Sequence, residues 1–292
     1  METRFLQTFL TVVETSSLAE TARRLNITPS AVVQRIRALE SEIGRPLIQR
    51  SGHAVRPTGA GAAVLHDVER LLAAETDVKA AATAGLETGR LQIGAIHTVL
   101  TGLLPDVLVS LKRNRPGIDL YILPGISDDL FARVTDGRLD AAVLVRPPFV
   151  LPKDLEWIPL RQERLLLIVP PAVEGLDPLV LLRREPFIRY DRNHWGGRIV
   201  DLYLRRMGIR PRERYELDSL EAITILVSRG LGVSLIPDWP PPWPEGVRVR
   251  RIVAEEAPSR EIGILWPKSS VRLPLIRALA AEALGAGGTK AG

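Results

Sequence analysis

The chain opens on helical periods. Leu18, Ala19, Thr21, Ala22 and Leu25 recur at three- and four-residue spacing behind Ser17, a helix-capping residue type. Asn26, Ile27 and Thr28 form the following turn. Thr28 then caps a second helix whose first position is Pro29, where a missing N–H costs nothing. That helix runs to about Glu42, and Gly44 closes it. Ala31, Val32, Ile36, Leu39 and Ile43 make its apolar stripe, which leaves Ser30, Val33, Gln34, Arg35 and Arg37 on or near the opposite surface. Pro46 to Arg50 and Ala54 to Pro57 predict two short strands around Ser51, Gly52 and His53, a wing carrying Arg50 and Arg56.

Beyond Thr58 the pattern changes to a long heptad-like seam of Ala62, Leu65, Val68, Leu71, Leu72, Val78 and Ala82 among charged residues. A helix of about 28 residues with so narrow a seam is too long to bury itself in a small domain and is expected to pair with a copy of itself. Gly85 and Gly89 bracket a hinge at its end.

From Arg90 the period alternates between strand and helix. A strand at 90–96 precedes a helix through Leu103, Leu104, Val107, Leu108 and Leu111, a strand at 119–123, a helix at 127–136 and a strand at 141–145. After Pro159 the pattern restarts with strands at 165–169 and near 187–190, a helix at about 197–207, a strand near 214–217, a helix at 220–229 and a strand at 233–236. A strand at 262–266 returns the chain toward the first lobe, a helix follows at 273–284, and 285–292 form a tail. Such alternation argues for a parallel sheet covered on both faces. The Pro/Trp stretch from Pro237 to Pro244 is expected to be a rigid loop.

The chemistry of the first sixty residues points to nucleic acid. Hydroxyl, amide and guanidinium groups on one helix face can bond base edges and phosphates, and a basic wing can follow a backbone or enter a minor groove. These residues hold eight Arg and five Glu within a chain of formal charge +5. Only five of the 39 basic residues are Lys, a bias that a GC-rich genome also produces. With no Cys, thiolate metal sites, disulfides and thiol catalysis are excluded. The four His show no ligand spacing, and no apolar run nears the ~20 residues that cross a bilayer. No nucleophile elbow, phosphate-binding glycine loop or His-Glu-x-x-His occurs. A non-enzymatic, cytoplasmic protein without cofactor, metal or membrane partner is expected.

At Phe5, Phe9, Val13, Glu14, Ser17, Ala22, Leu25, Ala31, Val32, Ile36, Leu39, Glu40, Gly44, Pro46, Leu47, Arg50, Thr58 and Gly61 the chain resembles the LysR-type transcriptional regulators. Further landmarks are Gly94, Leu103-Leu104-Pro105, Pro116, Gly125, Gly137-Arg138-Leu139-Asp140, Val227, Gly230-Leu231-Gly232 and Pro237. The resemblance implies an α/β protein with an N-terminal winged helix-turn-helix (1–58), a linker and dimerisation helix with hinge (59–89) and a two-lobed periplasmic-binding-protein-like effector domain (90–292). Lobe I would take about 90–160 and 267–292, and lobe II about 161–266. Double-stranded DNA, a small-molecule effector and a second or fourth copy of the chain are the implied partners, with RNA polymerase a further candidate.

The chain departs from the family's usual residues at Pro29, Val33 and His53, where DNA contacts are expected. The predicted DNA-facing set is Thr28, Pro29, Ser30, Val33, Gln34, Arg35, Arg37, Arg50, His53 and Arg56. Within it, Gln34 and Arg35 would read bases, and Thr28, Ser30, Arg50 and Arg56 would hold phosphates. For the effector, ligands in open α/β folds sit at strand ends and helix N-termini. The candidates are therefore Thr98, Thr101, Gly125, Ser127, Arg146, Arg192 and His194, a cation-rich set that suggests an anionic ligand. The alternatives are a ligand-independent repressor with a vestigial cleft and, further off, a small-molecule binding protein or an enzyme.

Overall fold

A computed structural model describes residues 1–51, 54–82, 88–175, 177–254 and 256–287. The chain divides into two compact units, Met1–Gly85 and Leu86–Gly292.

The first unit contains α1 (Thr3–Thr15), α2 (Leu18–Arg24), α3 (Pro29–Ile43), the hairpin β1 (Ile48–Ser51) and β2 (Ala54–Pro57), and α4 (Gly59–Ala82). Its ends follow the local chemistry. Ser17 accepts from Glu20 N–H at 3.3 Å and Thr28 from Ala31 N–H at 3.2 Å. Gly44 leaves α3 at φ 78° with its N–H on Glu40 C=O at 2.8 Å. Leu6, Phe9, Val12, Ala22, Val32, Ile36, Leu39, Leu47 and Val55 form the core.

The core also claims part of α4. Val68 is 3% exposed, and Val64, Leu65 and Leu72 pack on the same cluster. The expected self-pairing seam is therefore split, because its first turns bury against their own domain while Leu71 and Val78 stay exposed. The helix is described to Ala82, and Gly85 of the expected hinge lies outside the described residues.

The second unit runs β3 (Gly89–Ala95), α5 (His97–Gly102), α6 (Leu104–Asn114), β4 (Ile118–Pro124), α7 (Ser127–Thr135), β5 (Ala141–Val145), β6 (Leu155–Val169), α8 (Pro178–Arg184) and β7 (Pro186–Tyr190). It continues through α9 (Trp195–Arg206), β8 (Arg212–Leu217), α10 (Leu220–Ser228), β9 (Ser234–Pro237), β10 (Arg250–Val253), β11 (Ser259–Pro267) and α11 (Leu273–Gly287). One sheet has the order β10-β6-β11-β5-β3-β4, with β9 also on β6, and β7 pairs with β8.

Among the described residues, the parallel ladders are β3–β4, β3–β5 and β7–β8. The sheet is mixed rather than all parallel, because β6 and β11 run antiparallel to each other and to their other neighbours. Their length joins two cores. The stretch Leu155–Arg164 of β6 pairs with β11, and Leu165–Ile168 pair with β9. One core gathers Leu91, Ile93, Leu104, Leu130, Leu144, Ile264 and Ile276, and the other Leu167, Phe187, Tyr203, Ile223, Leu235 and Trp239.

Sequence periodicity revealed only the end of β6, since its first ten residues alternate weakly and include Pro159. That proline stands where the β6–β11 register shifts, a place where a strand tolerates a missing donor. Ile262, Ile264, Leu265 and Trp266 lie in the first core, so the return to lobe I has begun by residue 262 rather than at 267. The α8 helix, capped by Asp177, and β10 were not anticipated. The last helix extends to Gly287, into the expected tail; 288–292 lie outside the described residues. The Pro/Trp stretch is anchored in lobe II by Trp239, stacked on Trp243 at 4.6 Å.

Candidate nucleic-acid interface and inter-lobe cavity

The α2–α3 pair and the wing present most of the expected polar set to solvent. Thr28, Pro29, Ser30, Gln34, Arg37, Arg50 and Arg56 are exposed and Val33 is half-buried. Among the described residues no ion pair engages Arg37, Arg50 or Arg56, whereas Arg23 and Arg24 of α2 are neutralised by Glu20 and Glu14. Free cations beside neutralised ones are what a phosphate-facing surface requires. Thr28 uses its hydroxyl to cap α3 and to meet Ser30 at 2.9 Å. Arg35 departs from the expectation: it is half-buried, and Nη1 donates to Thr8 Oγ1 of α1 at 3.4 Å. His53 lies outside the described residues.

The wing is set by a residue that periodicity does not flag as functional. Glu40 Oε1 on α3 accepts from Leu47 N–H at 2.7 Å and Ile48 N–H at 3.2 Å, fastening the start of β1 to the recognition helix. In the ladder Arg50 faces Val55 and Arg56 faces Gln49, so the two guanidiniums flank the hairpin on opposite faces.

In the second unit a cavity of about 270 Å³ opens between the lobes, lined among others by Thr98, Ser127, Tyr190, His194, Trp195 and Arg260. Of the predicted effector residues, Thr98, Gly125, Ser127 and His194 line it. Thr101 turns its hydroxyl to His97 C=O at 3.4 Å. Arg146 pairs with Glu261 at 2.9 Å, and Arg192 pairs with Glu213 and Glu216. The latter two cations thus serve carboxylates outside the cavity lining, and the cationic cluster expected there is not assembled.

A different arginine takes that place. Arg260 of β11 is 2% exposed; its Nε donates to Glu163 of β6 at 2.5 Å and its Nη2 to the Thr98 hydroxyl at 2.9 Å. Burial holds the Tyr190 phenol above its ordinary pKa, and Arg260 opposes that shift. Three helices start at the cavity without a side-chain cap: α5 and α7 of lobe I, after Ile96 and Ile126, and α9 of lobe II after His194. Their first N–H groups and positive dipole ends offer an anion site from both sides. Ser127 keeps its hydroxyl for the chain itself, accepting from Val145 N–H at 3.2 Å.

The lining also holds carboxylates. Asp218 and Glu221 line the cavity, and no ion pair engages either among the described residues. The lobes also touch through aromatic rings, because Trp195 of α9 meets Phe131 and Phe149 edge-on at 5.8 and 5.7 Å. Gly197 lets the Asp191 carbonyl approach the first turn of α9, since a Cβ there would overlap it. Among the described residues there is no cluster suited to a metal ion, and no helix is long and apolar enough to cross a membrane.

Known proteins match both units. The family model described as bacterial regulatory helix-turn-helix protein, lysR family, matches residues 3–62, and the LysR substrate binding domain model matches 84–287. A probable hydrogen peroxide-inducible genes activator of Mycobacterium avium is 30% identical over 286 residues, covering 94% of this chain and 91% of that protein. The HTH-type transcriptional regulator CzcR of Bacillus cereus is 28% identical over 238 residues, 81% of this chain and 80% of the relative. Full-length CbnR in complex with its target DNA shares the fold at TM-score 0.71 and 22% identity, covering 97% of this chain and all (100%) of that one.

Proposed function

Because the chain belongs to the LysR family of bacterial transcriptional regulators, we propose that its α3 helix and wing bind operator DNA while a small molecule in the inter-lobe cavity sets the response. Phosphate contacts from Arg37, Arg50 and Arg56 supply affinity that falls with salt. A dimer formed through the exposed seam of α4, in the cytoplasm, sets the spacing of two half-sites.

The observation that carries the effector reading is the buried Arg260, which joins Thr98 of lobe I to Glu163 at the strands crossing between lobes. A ligand carboxylate meets Arg260 and the uncapped starts of α7 and α9, while Asp218 and Glu221 suit a ligand donor or ammonium. Such a ligand shifts the lobe arrangement only through different affinity for the two states. With no Cys in the chain, no response runs through a thiol, in whatever way the peroxide-inducible relative works.

The closed Arg260–Glu163 pair also supports a second reading, a ligand-independent repressor in which that pair is structural. Thermal unfolding against a panel of small carboxylates and amino acids separates them. Saturable stabilisation that weakens in Arg260→Lys supports an effector, and DNA binding unaffected by any member supports the second reading.

A further inference from the structure

The N-terminal half of the outer face of α3 presents no free arginine. Arg35 leans toward α1, where Nη1 reaches Thr8. The groups left on the outer face are Ser30, Val33, Gln34 and Arg37, related by three- and four-residue spacing, with Pro29 one turn ahead of Val33. Val33 is not among the side chains packed on this unit's core. A β-branched apolar side chain, paired at i, i+4 with an exposed proline, therefore stands on the N-terminal half of the helix that enters a major groove. The apolar group that a major groove offers is the thymine 5-methyl. The adjacent Gln34 amide matches adenine, donating to N7 and accepting from N6–H, whereas the bidentate partner of guanine is Arg or Lys. Arg37 lies one turn beyond Val33, and the DNA-binding reading above assigns it to a phosphate.

We propose, resting on the DNA-binding reading above, that α3 selects A·T pairs: Pro29 and Val33 against thymine methyl groups and Gln34 on adenine.

The test uses the full chain. Duplexes are selected from a randomised pool, and the enriched duplex is titrated by fluorescence anisotropy beside copies with deoxyuridine replacing one thymine at a time. The expected half-sites centre on A·T pairs, and loss of one contacted methyl weakens binding about fourfold. Val33→Ser should bind the thymine and deoxyuridine copies alike and unfold at the same temperature as the parent. Half-sites centred on G·C, equal affinity for every deoxyuridine copy, or full discrimination by Val33→Ser would each overturn the assignment while leaving DNA binding intact. Enrichment of no duplex would remove the DNA-binding reading itself, and the assignment with it.

Discussion

Arg260 Nη2 lies 2.9 Å from Thr98 Oγ1, although 162 residues separate them. The bond ties a crossing strand between the lobes to the start of the helix at the cavity mouth, so any group that competes for it acts on both.

Thr98→Ala removes the acceptor while leaving the DNA-binding unit untouched. The ligand-dependent rise in melting temperature should disappear, with DNA affinity nearly unchanged. The fold should lose about 1–3 kcal/mol for the unsatisfied guanidinium donor. Parallel thermal unfolding and anisotropy titrations check this; joint loss of both activities would contradict separate sites.

Glu163→Gln strands a guanidinium that is 2% exposed. Breaking a buried pair from one side costs about 3–5 kcal/mol, whereas replacing both partners by apolar residues is often close to neutral. Urea unfolding should therefore rank Glu163→Gln well below the double variant Arg260→Met, Glu163→Leu. The reverse order would mean that the pair is solvated and weak.

Glu40→Ala frees the N–H groups of Leu47 and Ile48. Loss of the charged acceptor is expected to cost about 1.5–3 kcal/mol per bond at most, and the loosened wing should weaken DNA binding more than it alters the salt slope, because no phosphate-facing cation is removed. Titrations at several salt concentrations measure both. An unchanged affinity would place the wing outside the interface.

Tyr190 gives an alkaline signature. Burial raises its pKa above the ordinary 10.0, so the folded state holds the phenol proton where the unfolded chain releases it. Its contribution to stability is complete below 10.0 and is lost as pH rises through the folded value. The melting temperature of the parent should fall more steeply above that pH than that of Tyr190→Phe. Parallel curves for the two proteins would refute the raised value.

The helix-turn-helix was legible residue by residue. Ser17, Thr28, Pro29 and Gly44 bound α2 and α3 as expected because caps act over three or four residues. The cavity was half legible. Helix starts and strand ends placed Thr98, Gly125, Ser127 and His194 on its wall, but Arg146 and Arg192 had carboxylate partners that local pattern does not reveal.

By itself, then, the sequence determined the order of elements, the helix ends of the recognition motif, and the absence of thiol chemistry. Tertiary structure alone decided that β6 and β11 run antiparallel between two cores, that Arg35 turns to α1, and that Arg260 is the buried cation of the cavity. The reason is range: capping and periodicity are settled within a turn or two of chain. A charge is buried or left in water according to partners such as Glu163, 97 residues away, that only the completed fold brings within reach.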